Sequence, residues 1–391
     1  MTGEPLALYV HWPFCVSKCP YCDFNSHVRA NIGQESWREA LLADLAYEAR
    51  LLPGRRLTSV FFGGGTPSLM DPATVAAVIG AARAHWSPAD DLEITLEANP
   101  NSVEAGRFVD LALAGVNRLS LGLQSFDDEA LRFLGRAHSA REGFAALAIA
   151  QKHFRRVSFD LIYALPDDTE DSWSIALAQA LSLGTSHLSL YQLTIEPGTR
   201  FSSMVARHAF EPLDAERAAG LFELTDAMTS AAGMPAYEIS NHARAGQESR
   251  HNLTYWRYGD YAGIGPGAHG RRSGHRTARH RKPENFLSSV RRNGHGIVED
   301  AALTPAEAAD EALVMGLRLR EGIDAQAAAT RFGFSEIVDW QRVERLVLSG
   351  HLKRNGAHIA LTAKGRLLLD HILGEIAAPP ASAEPRALAV A

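Results

Sequence analysis

Short apolar runs recur along the first half of the chain, and longer stretches with helical spacing separate them. Runs at 6–12, 58–62, 92–98, 118–124, 157–163 and 187–193 are rich in leucine, β-branched and aromatic residues and read as strands. The stretches 35–50, 71–85, 102–114, 127–135 with 140–152, and 168–182 repeat apolar residues every three to four positions and read as amphipathic helices. Strand followed by helix at this spacing predicts βα units around a parallel sheet. Six units fall short of the eight that close a TIM-type barrel. The expected fold is therefore α/β, an open, partial (β/α)6 TIM-like barrel.

Beyond a further helical stretch at 213–233 the pattern changes. Residues 237–274 are rich in glycine and aromatics, and a basic run at 271–282 follows. Helical spacing returns at 303–320, 325–332, 337–349 and 362–376, with a hairpin signal at 351–361. That reads as a small, mostly helical, winged-helix-like C-terminal domain. The expected division is a partial barrel over 1–240, a connecting region over 241–298 and a C-terminal domain over 299–376. An Ala/Pro-rich tail over 377–391 is expected to be disordered.

Charge narrows the partners. A net charge of −6 over 391 residues gives no global basic field, so nucleic acid is not an expected partner. No apolar run has the length of a bilayer span, and the first residues lack the form of a secretory signal. The three cysteines, Cys15, Cys19 and Cys22, form no disulfide framework and suit a reducing cytoplasm.

These cysteines lie in one loop with C-x3-C-x2-C spacing. Two metal chemistries fit such a trio. Three thiolates hold three corners of a cubane cluster and leave its fourth iron open. Alternatively they hold a structural zinc with His11 or His27 as fourth ligand, although such sites usually join two distant hairpins. Ligands of parallel α/β folds sit at the carboxyl ends of strands. There the chain carries Tyr9 and His11, the run Gly63-Gly64-Gly65-Thr66-Pro67, Glu97 and Asn99, Gln124, Asp160, and Gln192. A glycine run lets backbone N–H groups approach a charged ligand, or merely turns the chain. Glu97 or Asp160 taken singly reads as a salt-bridged structural residue; polar groups at so many strand ends together point to a polar ligand.

Taken together, these motifs resemble the radical S-adenosylmethionine (SAM) superfamily over about residues 5–270. The cysteine loop, with Tyr21 before its last cysteine, matches that superfamily's cluster motif, and 63–67 matches its glycine motif. Within it the chain is similar to the HemN/HemW group, through His11-Trp-Pro-Phe-Cys15, Asp160-Leu-Ile-Tyr-Ala-Leu-Pro166 and Gly263-Ile-Gly-Pro-Gly-Ala-His269. HemN proteins add a fourth cysteine two positions after the third and a long N-terminal arm. Here Phe24 stands at that position, and the first strand begins near Leu6. HemW proteins carry an H-N-x-x-Y-W string, matched by His251-Asn-Leu-Thr-Tyr-Trp256.

The resemblance implies a [4Fe-4S] cluster on Cys15, Cys19 and Cys22, and SAM chelating the open iron. Tyr9, Tyr21, Gly64, Gly65, Thr66, Glu97, Gln124, Arg136 and Asp160 would surround SAM, with Arg136 on its carboxylate. It implies haem as a further cofactor, with His251 as its axial ligand, although a lone histidine beside aromatics also reads as structural; arginines of the basic run suit haem propionates or an anionic membrane surface, or form a solvated strand or loop with no ligand. The implied activity is that of a haem chaperone, with a haem-acceptor protein and an electron donor as partners. It is compatible with a homodimer and a peripheral place at a membrane. The alternative is an enzyme, oxygen-independent coproporphyrinogen III dehydrogenase. The absent fourth cysteine and arm count against it.

Overall fold

Alternation within each strand decides which face of the sheet meets the helices. The computed structural model describes residues 3–29 and 32–378. Strands β1 (Pro5–Trp12), β2 (Phe14–Cys15), β3 (His27–Val28), β4 (Arg56–Gly64), β5 (Ser87–Ala98), β6 (Arg118–Gln124), β7 (Arg156–Tyr163) and β8 (His187–Gln192) are followed by β9 (Asn241–Ala243), β10 (Tyr261–Ile264), β11 (His269–Arg272), β12 (His275–Arg279) and β13 (Ile297–Ala302). All but β2 and β3 form one sheet, in the order β13-β12-β11-β10-β1-β4-β5-β6-β7-β8-β9. Neighbours from β10 to β8 are parallel, and β9, β11 and β12 pair antiparallel. The outermost strands do not meet, so the sheet is open, as expected.

One set of alternating positions is apolar throughout. Leu8 and Val10, Val60 and Phe62, Ile94 and Leu96, Leu119 and Leu121, Val157 and Phe159, and Leu188 and Leu190 are all buried in one core with the helices. Those helices begin with side-chain caps where the sequence supplies them. Ser139 with Glu142 and Thr169 with Ser172 form capping boxes. The other set is polar: Thr95 and Glu97, Arg118 and Ser120, Ser158 and Asp160, His187 and Ser189. Parallel register places Ser120 beside Ser158 and Asp160 beside Ser189.

The region 241–298 departs from its expected role as a connection. It contributes β9 to β12 and the start of β13, and residues 240–254 and 259–301 belong to the first compact unit. Half of its basic run is buried in the β11–β12 pair, while Arg276, Arg281 and Lys282 are exposed. Arg279 is buried against Asp44 (3.3 Å) and Glu48 (2.5 Å); Arg272 bridges Glu48 (2.8 Å) and Asp300 (2.7 Å). Arg271 is also buried, on the Gly259 carbonyl. Propionates and membranes therefore do not find these three arginines available.

The second unit comprises 237–239, 255–258 and 302–391. Among its described residues, helices Pro305–Arg318, Ala325–Phe332 and Trp340–Leu348 accompany an antiparallel sheet of β14 (Ile323–Asp324), β15 (Leu352–Asn355) and β16 (His358–Leu361). The stretch 362–376 holds two helices, Ala363–Arg366 and Leu369–Ile376, instead of one. Beyond 378 the expected tail lies outside the described residues. No described helix is long and apolar enough to cross a membrane.

Candidate functional site

The cysteine loop leaves the end of β1 and is pinned at its return. Tyr9 Oη lies 2.9 Å from His11 Nδ1, and His11 Nε2 lies 3.0 Å from the Asn25 carbonyl. A carbonyl only accepts, so Nε2 carries the proton and Nδ1 accepts from Tyr9. Burial pushes the His11 pKa down to about 4, which keeps this neutral tautomer. The Asn25 amide then donates to the carbonyls of Pro266 and Arg281, both at 2.9 Å. With both ring nitrogens engaged, His11 is not a zinc ligand.

Cys15, Cys19 and Cys22 line one cavity with Tyr21, Gly64, Gly65, Thr66, Glu97, Gln124, Arg136 and Asp160. Eleven of the thirteen expected site residues thus come together. Tyr9 lies behind them, stacked with Phe61. Among the described residues no three His, Cys, Asp or Glu side chains are arranged to hold a single metal ion. Three thiolates lining one cavity are the donor set that a cluster accepts, one thiolate at each of three irons.

The glycine run works differently from the expected anion cradle. Its N–H groups are already spent inside the protein: Gly64 on Glu97 Oε2 (3.3 Å), Gly65 on Trp12 O (2.7 Å), Thr66 on Phe14 O (2.8 Å). What the glycines permit is contact. A Cβ on Gly65 would stand 2.7 Å from Phe14 O and 3.0 Å from Cys15 Sγ, and one on Gly64, at φ +114°, 2.7 Å from the His11 ring.

The electrostatics select a cation. Glu97 and Asp160 are half-buried carboxylates lining the cavity and, among the described residues, neither has an ion-pair partner. Burial and then the Asp160 charge push the Glu97 pKa up to about 8. Burial pushes Asp160 up to about 6, against the hydroxyls of Ser189 and Ser120 and the charge of Arg118. Arg118 reaches this pair through hydroxyls, its Nη2 on Ser158 Oγ (3.1 Å), which lies 2.9 Å from Ser120 Oγ. A ligand with an ammonium or sulfonium charge compensates both carboxylates. Beside the cysteines, Arg136 donates to Cys19 Sγ (3.4 Å), Asn99 Oδ1 (2.6 Å) and Gly122 O (2.9 Å). Its Nε is buried without a partner, a donor left for a carboxylate. An amino acid sulfonium such as SAM carries these groups.

Ser120, Ser158 and Arg118 were not singled out from the sequence, and Asn99 stood out only as a polar group at a strand end. Their signal is a period of two: Thr95, Glu97 and Asn99, like Arg118, Ser120 and Gln124, sit at alternate positions on otherwise apolar strands. His251 is elsewhere. It is 5% exposed, stacked on Phe61 (4.9 Å), with Nδ1 3.2 Å from Ser59 Oγ and its backbone N–H donating to Glu93 Oε1 (3.3 Å). Burial pushes its pKa down to about 3, so the imidazole is neutral, but it presents no open face to a porphyrin.

Known proteins resemble this chain in sequence and fold. The family model described as Radical SAM superfamily matches residues 9–178, and that described as HemN C-terminal domain matches 303–368. The chain is 43% identical to radical S-adenosyl methionine domain-containing protein 1, mitochondrial, of Bos taurus, over 94% of this chain and 83% of that one. It is 38% identical to heme chaperone HemW of Escherichia coli, over 94% of this chain and 97% of that one. Among solved structures, coproporphyrinogen III oxidase (HemN) from Escherichia coli, a radical SAM enzyme, aligns with a TM-score of 0.79 at 24% identity, over 95% of this chain and 90% of that one. The chain belongs to the radical SAM superfamily, in its HemN/HemW group.

Proposed function

We propose that this protein is a haem chaperone that carries a [4Fe-4S] cluster and SAM and passes haem to an acceptor protein. The observation that carries the reading is similarity along nearly the whole of both chains to a protein named heme chaperone HemW. Phe24, 59% exposed where HemN proteins are expected to place a fourth cysteine, supports it over the dehydrogenase.

In this reading Cys15, Cys19 and Cys22 hold the cluster. When bound, the cluster supplies the electron that cleaves a sulfonium bond. The chain's own residues bind and align. Glu97 and Asp160 accept from the ammonium and hydroxyl donors of SAM, Ser120 orients Asp160, and Arg136 Nε meets the carboxylate. Gly65 lets the glycine loop close against Cys15 and exclude water. His251 is the proposed haem ligand, reached by opening of helix Arg250–Trp256. An electron donor and the acceptor complete the set, in a reducing cytoplasm.

Anaerobic reconstitution tests the reading. Full-length protein is expected to take up iron and sulfide, to bind haem stoichiometrically, and to form no vinyl product from coproporphyrinogen III with SAM and a reductant. Vinyl product at catalytic turnover would move the assignment to the dehydrogenase.

A further inference from the structure

One guanidinium reaches two of the three cysteines by different routes. Arg136 Nη1 donates directly to Cys19 Sγ at 3.4 Å. Its Nη2 donates to Asn99 Oδ1 at 2.6 Å, which fixes that amide with its nitrogen pointing onward. Asn99 Nδ2 donates to Thr66 Oγ1 at 3.1 Å. A hydroxyl that accepts there keeps its own proton for another neighbour, and that neighbour is Cys15 Sγ at 3.5 Å. Glu104 locks the amide from its other side, accepting from the Asn99 backbone N–H at 3.0 Å and from Nδ2 at 3.4 Å. Thr66 is buried, so water does not compete for the bond. Every donor in the chain runs one way, from Arg136 through Asn99 and Thr66 to Cys15.

We propose that Asn99 and Thr66, aligned by Arg136, are positioning residues that hold a hydrogen bond on the Cys15 thiolate and thereby raise the reduction potential of the cluster. The inference rests on the reading of the three cysteines as cluster ligands. Reduction adds negative charge to the cluster and its thiolates. A donor to sulfur favours that charge, and an aligned chain of donors ending on a guanidinium favours it more than one hydroxyl alone.

The test is a spectroelectrochemical or spin-resonance titration of reconstituted full-length protein without SAM. Thr66→Val keeps the branched shape and removes the donor. Asn99→Asp turns the relay around, because a carboxylate takes the Thr66 proton away from sulfur. Both are expected to weaken cluster reduction at least about threefold, a shift of about 28 mV to more negative potential at 59 mV per tenfold for one electron. Thr66→Ser, which keeps the hydroxyl, is expected to titrate with wild type. Iron and sulfide content is measured on each sample. Wild-type protein that takes up no cluster overturns the cluster reading itself. A cluster-bearing wild type whose Thr66→Val variant titrates unchanged overturns the relay alone. Should Thr66→Val fail to hold a cluster, Asn99→Asp decides by the same criterion.

Discussion

At Glu97 a proton and a ligand compete for one carboxylate. The folded pKa of about 8 lies above the ordinary 4.5. Between those values the folded protein holds a proton that the unfolded chain has released, so Glu97 withdraws stability as pH rises through that window. Glu97→Gln removes this contribution. Its gain in thermal midpoint over the ligand-free wild type is expected to grow from about pH 5 to about pH 8 and then level off. A gain that stays constant with pH would contradict the assigned burial. The same linkage acts on binding. A cationic ligand must displace the proton, so SAM affinity is expected to rise with pH up to about 8, by up to about tenfold per unit, and Glu97→Gln is expected to lose both the slope and most of the affinity. Asp160→Ala is expected to weaken SAM binding while iron content stays at the wild-type level. Loss of iron in that variant would move Asp160 from the ligand to the cysteine loop.

Two elements hold the cysteine loop, and each offers a separate handle. The first is the glycine turn after β4. Gly65→Ala places a methyl against Phe14 O and Cys15 Sγ, and such overpacking typically costs about 1–3 kcal/mol. The expected result is reduced iron uptake on reconstitution with an unchanged far-ultraviolet dichroism spectrum, since the strands themselves need no side chain there. The second is the β11–β12 pair, anchored by Arg279 on Asp44 and Glu48 of helix Gln34–Leu51. Arg279→Met leaves two buried carboxylates without that partner, a loss of about 3–5 kcal/mol by denaturant titration. An effect below about 1 kcal/mol would show that the pair is not buried in solution. These two elements also mark how far the sequence could be read. The six βα strands were legible because their apolar faces alternate against helices, as in Leu119, Leu121 and Leu123. The strands from β10 to β12 were not, because buried Arg271, Arg272 and Arg279 look like a solvated charge run until their carboxylates, more than two hundred residues earlier in the chain for Asp44 and Glu48, are brought alongside. The cysteines, Glu97 and Asp160 were legible from type and position. Ser120 was not, and Asn99 was legible only as a strand-end polar group, since the part each plays depends on which neighbour its side chain meets.

For the whole molecule, the haem question turns on access rather than on ligand type. His251 is neutral, as an iron ligand must be, yet it is held between Phe61 and Ser59 on the polar face of the sheet. The string that carries it lies on helix Arg250–Trp256, where His251 is buried. Ligation by His251 therefore requires local opening of this helix before iron can reach the ring, which is selection of a minor state. Haem binding is then expected to be slow, with an observed rate that levels off as haem concentration rises, because opening limits it. His251→Ala is expected to lose the imidazole-ligated absorption spectrum. A rate that climbs linearly with haem, together with an unchanged spectrum in His251→Ala, would place the iron on another, exposed ligand and leave His251 a packing residue beneath the SAM site.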